Sequence, residues 1–168
     1  MTTPVVSPES LLSEYADGPA RLEAALTDIT DPELDLSLAA DAWTIRQIVH
    51  HIVDGDDLWK TCIKGALGNS DGLFTLQWYW EKPQMEWSES WRYASRSVES
   101  SLTLLDANRH HIVDLLEHVP DALEKSIRLQ PPHGTEVHIT IREVLEMQVR
   151  HMTGHTQDIQ AIRQANAI

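Results

Sequence analysis

A single cysteine, Cys62, stands in the whole chain, so no internal disulfide can staple the fold. Basic residues are scarce: 13 Lys and Arg face 26 Asp and Glu, a formal net charge of -13. Most of such a surface would repel a phosphate backbone, which argues against nucleic acid as a partner. No apolar run approaches the roughly 20 residues of a membrane span, and the opening MTTPVVSPES carries no basic-then-apolar leader pattern. The expectation is a cytoplasmic protein that does not enter a membrane. No internal repeat or low-complexity tract divides the 168 residues, and a 42% hydrophobic content suffices for one core, so residues 1–168 are expected to form a single domain.

What is present reads as helix. Leu11, Tyr15, Leu22, Leu26 and Ile29 step at helical spacing, with Ser7 as N-cap and Pro8 at the first helical position; Gly18 and Pro19 should kink or interrupt this first helix. After a loop over residues 30–42, a second helix runs from Thr44 to about Leu67. A third is expected from about Glu86 to His118, with Val98, Leu102, Leu105, Ile112 and Leu116 on one stripe, and a fourth from Thr140 to about Asn166. Thr44 with Gln47 and Thr140 with Glu143 have the spacing of capping boxes. Trp43 with Ile48 and Ile139 with Val144 have the spacing of hydrophobic staples. About twenty residues, GNSDGLFTLQWYWEKPQMEW, separate the second helix from the third, far more than a short bundle connection needs. Residues 126–129 and 136–138 have the makings of a small extended pair around the PPHG turn. The pattern is that of an all-α four-helix bundle.

Nine histidines are unevenly placed. His151 and His155 sit four apart in RHMTGHTQDI and share a helix face, while His51 in WTIRQIVHHIVD is positioned to supply a third imidazole from a neighbouring helix. Three neutral imidazoles with an open position describe a catalytic-type metal site. A pair at spacing four arises readily by chance among nine histidines, and a lone histidine on an apolar face is more often a satisfied core residue than a ligand. The three taken together shift that balance. His110 and His111 lie on the third helix where one of them is expected to face inward, and His133 and His138 are expected at the surface. Trp78, Trp80, Trp87 and Trp91 crowd the crossover, as an aromatic wall to a pocket or as a core lid or subunit interface.

The run WTIRQIVHHIVDGDDLW, followed at long range by RHMTGHTQDI, resembles the DinB-like superfamily and its YfiT-like branch of metal-dependent hydrolases and thiol transferases. The likeness covers nearly the whole chain. It includes a Trp eight residues before the first ligand His, the long third helix SLTLLDANRHHIVDLLEHV, and HxxxH in the last helix. The resemblance implies up-down-down-up topology, which needs a long crossover between helices two and three, and a divalent metal on His51, His151 and His155, with His50 pointing elsewhere. Zinc or nickel is the expected ion, with iron or manganese as alternatives. Asp54, three residues after His51, and Asp158, three after His155, are candidates to accept a hydrogen bond from a ligand imidazole, or else are solvated helix charges.

Three functions follow. In the first, the metal activates water or a small-molecule thiol for hydrolysis or S-transfer to a small-molecule substrate. In the second, the chain is a non-catalytic, stress-related metal-binding bundle. In the third, the histidines merely pack. No basic patch for an anionic thiol is evident, since Arg46, Arg142 and Arg150 are scattered among acids. The family likeness and the Trp cluster imply a homodimer.

Overall fold

The computed structural model describes residues 7–168. Helix α1 (Pro8–Ala16) starts as expected: the Ser7 hydroxyl accepts from the Ser10 amide at 3.2 Å, and Pro8 fills a position that needs no donor. The chain breaks at Asp17 and restarts as α2 (Gly18–Ala25). A capping box not anticipated from the sequence, Thr30 with Glu33, opens a 3-10 turn at Asp31–Asp35. Helix α3 (Ile45–Gly68) and helix α7 (Ile141–Asn166) both begin on the expected boxes, with Thr44 against Gln47 and Thr140 against Glu143. Between them lie β1 (Leu73–Thr75), α4 (Gln77–Trp80), α5 (Gln84–Ser90), α6 (Glu99–Glu117), β2 (Ser126–Gln130) and β3 (Val137–Thr140), with further 3-10 turns at Tyr93–Ser95 and Ala122–Glu124.

The long bundle helices pack through two apolar clusters, and their membership fixes the topology. Leu11 and Tyr15 of α1 meet Cys62, Ile63 and Ala66 near the end of α3, Ile112 and Leu116 near the end of α6, and Ile141 and Leu145 at the start of α7. At the other end Leu22 and Ala25 of α2 meet Ile45, Ile48 and Val49 at the start of α3, Leu105 of α6, and Ile159 and Ile162 late in α7. The first helical pair and α7 therefore run one way and α3 and α6 the other. That is an up-down-down-up bundle, and residues 69–98 carry the chain back along its length.

The expected extended pair is present and larger than the sequence suggests. β2 pairs antiparallel with β3, Ile127 opposite Ile139, and also parallel with β1, Phe74 opposite Leu129. The sheet caps one end of the bundle with Phe74, Ile127 and Leu129 turned into the core.

The third helix is shorter than expected. Instead of one helix from Glu86, α5 ends at Ser90, Arg92 adopts a left-handed backbone with φ 58°, and the bundle helix starts only at Glu99. Arg92 marks the break although it is not glycine, and the guanidinium of Arg46 secures the chain just beyond it. Arg46 donates to the Arg96 carbonyl at 3.2 Å, the Asp35 carboxylate at 2.7 Å and the Asp31 carbonyl at 2.8 Å. One buried cation thus ties the loop before α3 to the end of the crossover.

A second buried cation lies between the helices. Arg109 of α6, 1% exposed, donates twice to Asp56 of α3, at 2.9 Å each, and once to the Tyr15 carbonyl at 2.8 Å. All charge-bearing atoms of the pair are thereby occupied, the condition under which a buried ion pair is tolerated.

Candidate metal centre

Capping and stapling set the rotation of α3 and α7, and that rotation brings three imidazoles together. His51 and His151 face one another with Nε2 atoms 3.0 Å apart, and the ring of His155 lies 5.0 Å from that of His51 and 4.6 Å from that of His151, centroid to centroid. One ligand atom from each of the three falls within 4.8 Å of the others. Two imidazole nitrogens at 3.0 Å cannot both carry outward protons. At least one presents a lone pair, and the facing pair shares either a proton or a cation.

Electrostatics favour the cation-binding form. Burial, with His151 and His155 adding to it, pushes His51 down to about 3, and burial first, then His155 and Arg109, pushes His151 down to about 4. Both rings are neutral at ordinary pH, as a ligand must be. His155 is oriented differently: its Nδ1 lies 3.0 Å from the Asp158 carboxylate, so Nδ1 carries the proton and Nε2 stays free as a donor atom. The donor set fits a divalent ion: three imidazoles, one with a carboxylate behind it.

Trp43, the residue of the N-terminal staple on α3, meets His51 edge-on with centroids 4.6 Å apart. Two cavities border the histidines. One of about 260 Å³ is lined by Leu38, Trp43, Ile48 and Ile162 with His155 and Asp158. The other, about 140 Å³, is bordered by His51 and His151 together with Gly55, Trp59, Met147 and Gln148.

The remaining sequence candidates are placed as follows. Asp158 meets one of the three imidazoles, that of His155. Asp54 does not: its carboxylate accepts from the Tyr93 hydroxyl at 2.5 Å rather than from a ligand imidazole, and burial raises its pKa. Three residues along α3 from His51 carries it to the flank that meets the 3-10 turn at Tyr93–Ser95. His50 points away from the metal centre as expected. It is fully buried, with Nδ1 2.9 Å from Ser101 Oγ and its ring 5.1 Å from that of Tyr93. His110 and His111 are both exposed, contrary to the expectation that one faces inward. Leu105, Arg109 and Ile112 take the inward face of α6, and His110 bonds the Asp106 carbonyl of its own helix. His133 and His138 are exposed, as expected.

The crossover tryptophans do gather, but away from the histidines. Trp87 and Trp91 stack with Tyr79, ring centroids 5.6 and 5.9 Å away, and Trp80, Trp87 and Trp91 pack on the core, while Trp78 stays 47% exposed. None of the four lines either cavity beside the histidines, so the pocket-wall reading fails, and three of the four pack on the core. The aromatic side chains at the centre are Trp43 and Trp59.

Sequence reasoning passed over Gln148. It lies one turn before His151 on the same face of α7, a spacing that was legible.

Comparison with known proteins agrees with this geometry. Residues 14–159 match the DinB superfamily. A Bacillus mycoides protein named "Putative metal-dependent hydrolase" is 27% identical over 154 residues, 91% of this chain and 83% of its own. An Oceanobacillus iheyensis protein of the same name is 28% identical over 125 residues, 74% and 69% of the two chains. Among solved structures, YfiT from Bacillus subtilis, described as a probable metal-dependent hydrolase with an unusual four-helix bundle topology, superposes with a TM-score of 0.80 at 23% identity, covering 99% of this chain and 93% of that one. A mycothiol-dependent maleylpyruvate isomerase superposes with a TM-score of 0.67 at 14% identity, covering 92% and 61%.

Proposed function

The chain belongs to the DinB superfamily, and we propose that it is a metal-dependent hydrolase in which His51, His151 and His155 hold one divalent ion. The observation that carries this reading is the convergence of three imidazoles, two of them with Nε2 atoms 3.0 Å apart, beside cavities large enough for a small molecule. The names of the relatives support the same class of chemistry. Zinc or nickel suits an all-imidazole donor set, with iron or manganese as alternatives. Such an ion, when bound, supplies Lewis acidity toward a water or a thiol and favours its deprotonated form.

The chain's own residues do the rest. Asp158 fixes the tautomer of His155, and Trp43 limits the rotation of His51 by edge-on contact. Leu38, Ile48 and Ile162 give the larger cavity an apolar wall, so substrate binding there displaces water from the neighbourhood of the reacting bond. Asp54 serves the protein matrix through Tyr93 and is not assigned as the base.

A thiol-transfer version of the reaction uses the same centre, and the bundle shared with a mycothiol-dependent isomerase supports it. In that version a low-molecular-weight thiol takes the place of water. We further propose a cytoplasmic homodimer acting on small molecules, with nucleic acid disfavoured by the charge of -13. The test is turnover by zinc- or nickel-loaded protein on panels of small amides, esters and thiol-plus-electrophile pairs, wild type beside His51→Ala. Activity abolished by the substitution is expected. Activity that survives it contradicts the reading.

A further inference from the structure

Gln84 opens α5 at the end of the crossover and borders the 140 Å³ cavity together with His51 and His151. Its carbonyl end is taken, because Oε1 accepts from the Tyr79 hydroxyl. Tyr79 does not line the cavity, so Nε2 is the polar atom this side chain has left to present there. Exchanging the two amide atoms would leave the Tyr79 proton without its acceptor. Burial, with Asp54 adding to it, pushes that phenol up to about 12, so it stays a donor. Ser88 Oγ and Gln148 Oε1 are the only fully buried side-chain polar atoms without a partner among the described residues, so the unpartnered Nε2 of Gln84 keeps access to its surroundings. The other amide on this cavity is spent: Gln148 Nε2 donates to the Asp56 carbonyl at 3.4 Å, and its Oε1 is sealed off.

The aromatic cluster of the crossover holds this donor in place. Trp87 Nε1 donates to the Tyr79 carbonyl at 2.7 Å, and the Tyr79 ring stacks on Trp87 and Trp91. The phenol that orients Gln84 is therefore fixed through both its backbone and its ring. Charge decides what the donor meets. His51 and His151 are neutral, and no other residue lining the cavity is acidic or basic. A divalent ion on the histidines thus faces the cavity with nothing on the wall to balance it. A cation beside an N–H donor is the pairing that recognises an oxygen anion.

We propose that this cavity is a carboxylate subsite of the metal centre, in which Gln84 Nε2 donates to one oxygen of a small carboxylate held beside the ion on His51, His151 and His155. This deepens the reading of the histidines as the metal centre and rests on it. Gln84 is a binding residue, and Tyr79 is a positioning residue that acts through it. The carboxylate that hydrolysis of an ester or amide releases belongs to this class, so the subsite lies where the proposed reaction generates charge.

The experiment uses acetate as the probe and acetamide as its uncharged counterpart of the same outline. Affinities are measured by NMR titration on zinc-treated wild type, Gln84→Met, Tyr79→Phe and the double variant, with zinc content determined on the same samples. Wild type is expected to bind acetate in preference to acetamide, and Gln84→Met to bind acetate about tenfold more weakly at equal zinc content. Tyr79→Phe, which keeps the stacked ring, should cause a smaller loss and add nothing to that of Gln84→Met. In wild type the Gln84 side-chain amide protons should shift as acetate binds, a readout that stands even where a variant fails to fold. Zinc-loaded wild type that shows no preference for acetate, that binds it no better than Gln84→Met, or whose Gln84 amide protons stay in place overturns the subsite and leaves the metal centre standing. Additive losses in the double variant overturn the role of Tyr79. Protein that takes up no zinc overturns the metal centre and the subsite with it.

Discussion

Arg109 occupies the volume that a side chain at position 18 would need: a Cβ on Gly18 would stand 2.0 Å from Arg109 Nη1. The guanidinium cannot step aside, because three hydrogen bonds to Asp56 and Tyr15 hold it and its Cζ lies over the Tyr15 ring, 4.4 Å from the ring centroid. Gly18→Ala should therefore destabilise the fold by about 3 kcal/mol or more, combining overpacking with damage to a buried ion pair. A urea midpoint within error of wild type would contradict this packing account.

Breaking the same pair chemically tests a different quantity. Asp56→Asn leaves the Arg109 charge buried without its counterion and is expected to cost about 3–5 kcal/mol, whereas Arg109→Met with Asp56→Leu should recover most of that loss. Chemical denaturation of the single and double variants decides it. A double variant no better than the single would mean that the pair is irreplaceable at this position.

The two firmly begun helices give a smaller and independent effect. Thr44→Ala and Thr140→Ala each remove a side-chain acceptor of an N-terminal amide, at 3.2 Å in both cases, and each should cost about 1 kcal/mol. Because Thr44 also sets the entry of the helix bearing His51, its replacement should weaken metal retention as well as stability.

Acid should destabilise the metal-free protein through its buried histidines. Burial holds His50 down to about 4, His51 to about 3 and His151 to about 4 in the fold, whereas the unfolded chain protonates them near the ordinary 6.5. The unfolded state therefore binds more protons below that value. The contribution is fully present above pH 6.5 and is lost as the pH falls through 6.5 toward about 4, each histidine losing up to about 1.4 kcal/mol per pH unit crossed. Urea midpoints at pH 7.5, 6 and 5 should decline, and His50→Gln should flatten the decline. A variant with the full wild-type slope would assign the acid sensitivity elsewhere.

Much of this site was legible in the residues, for identifiable reasons. Capping boxes are local, so Thr44 with Gln47 and Thr140 with Glu143 announced the start of both ligand helices, and spacing then put His151 and His155 on one face. The long stretch after α3 implied a crossover, and the topology needs one. Relationships between distant residues left no such mark. Nothing local pairs Asp56 with Arg109, 53 positions on, or sends Asp54 to Tyr93 instead of to an imidazole. The left-handed Arg92, just beyond the end of α5, carries none of the glycine signal that usually marks such a turn. His110 and His111 face solvent against expectation because the inward stripe of α6 runs through Arg109, a charged residue that a hydrophobic pattern does not count.

Elemental analysis of untagged protein purified without chelator, wild type beside His151→Ala, tests the central claim most directly. The account predicts about one equivalent of a divalent metal per chain, zinc or nickel foremost, retained by wild type and lost in the variant. Wild-type protein that holds no stoichiometric metal even after incubation with zinc and nickel would contradict it, and would leave His51, His151 and His155 as a buried cluster of packing side chains.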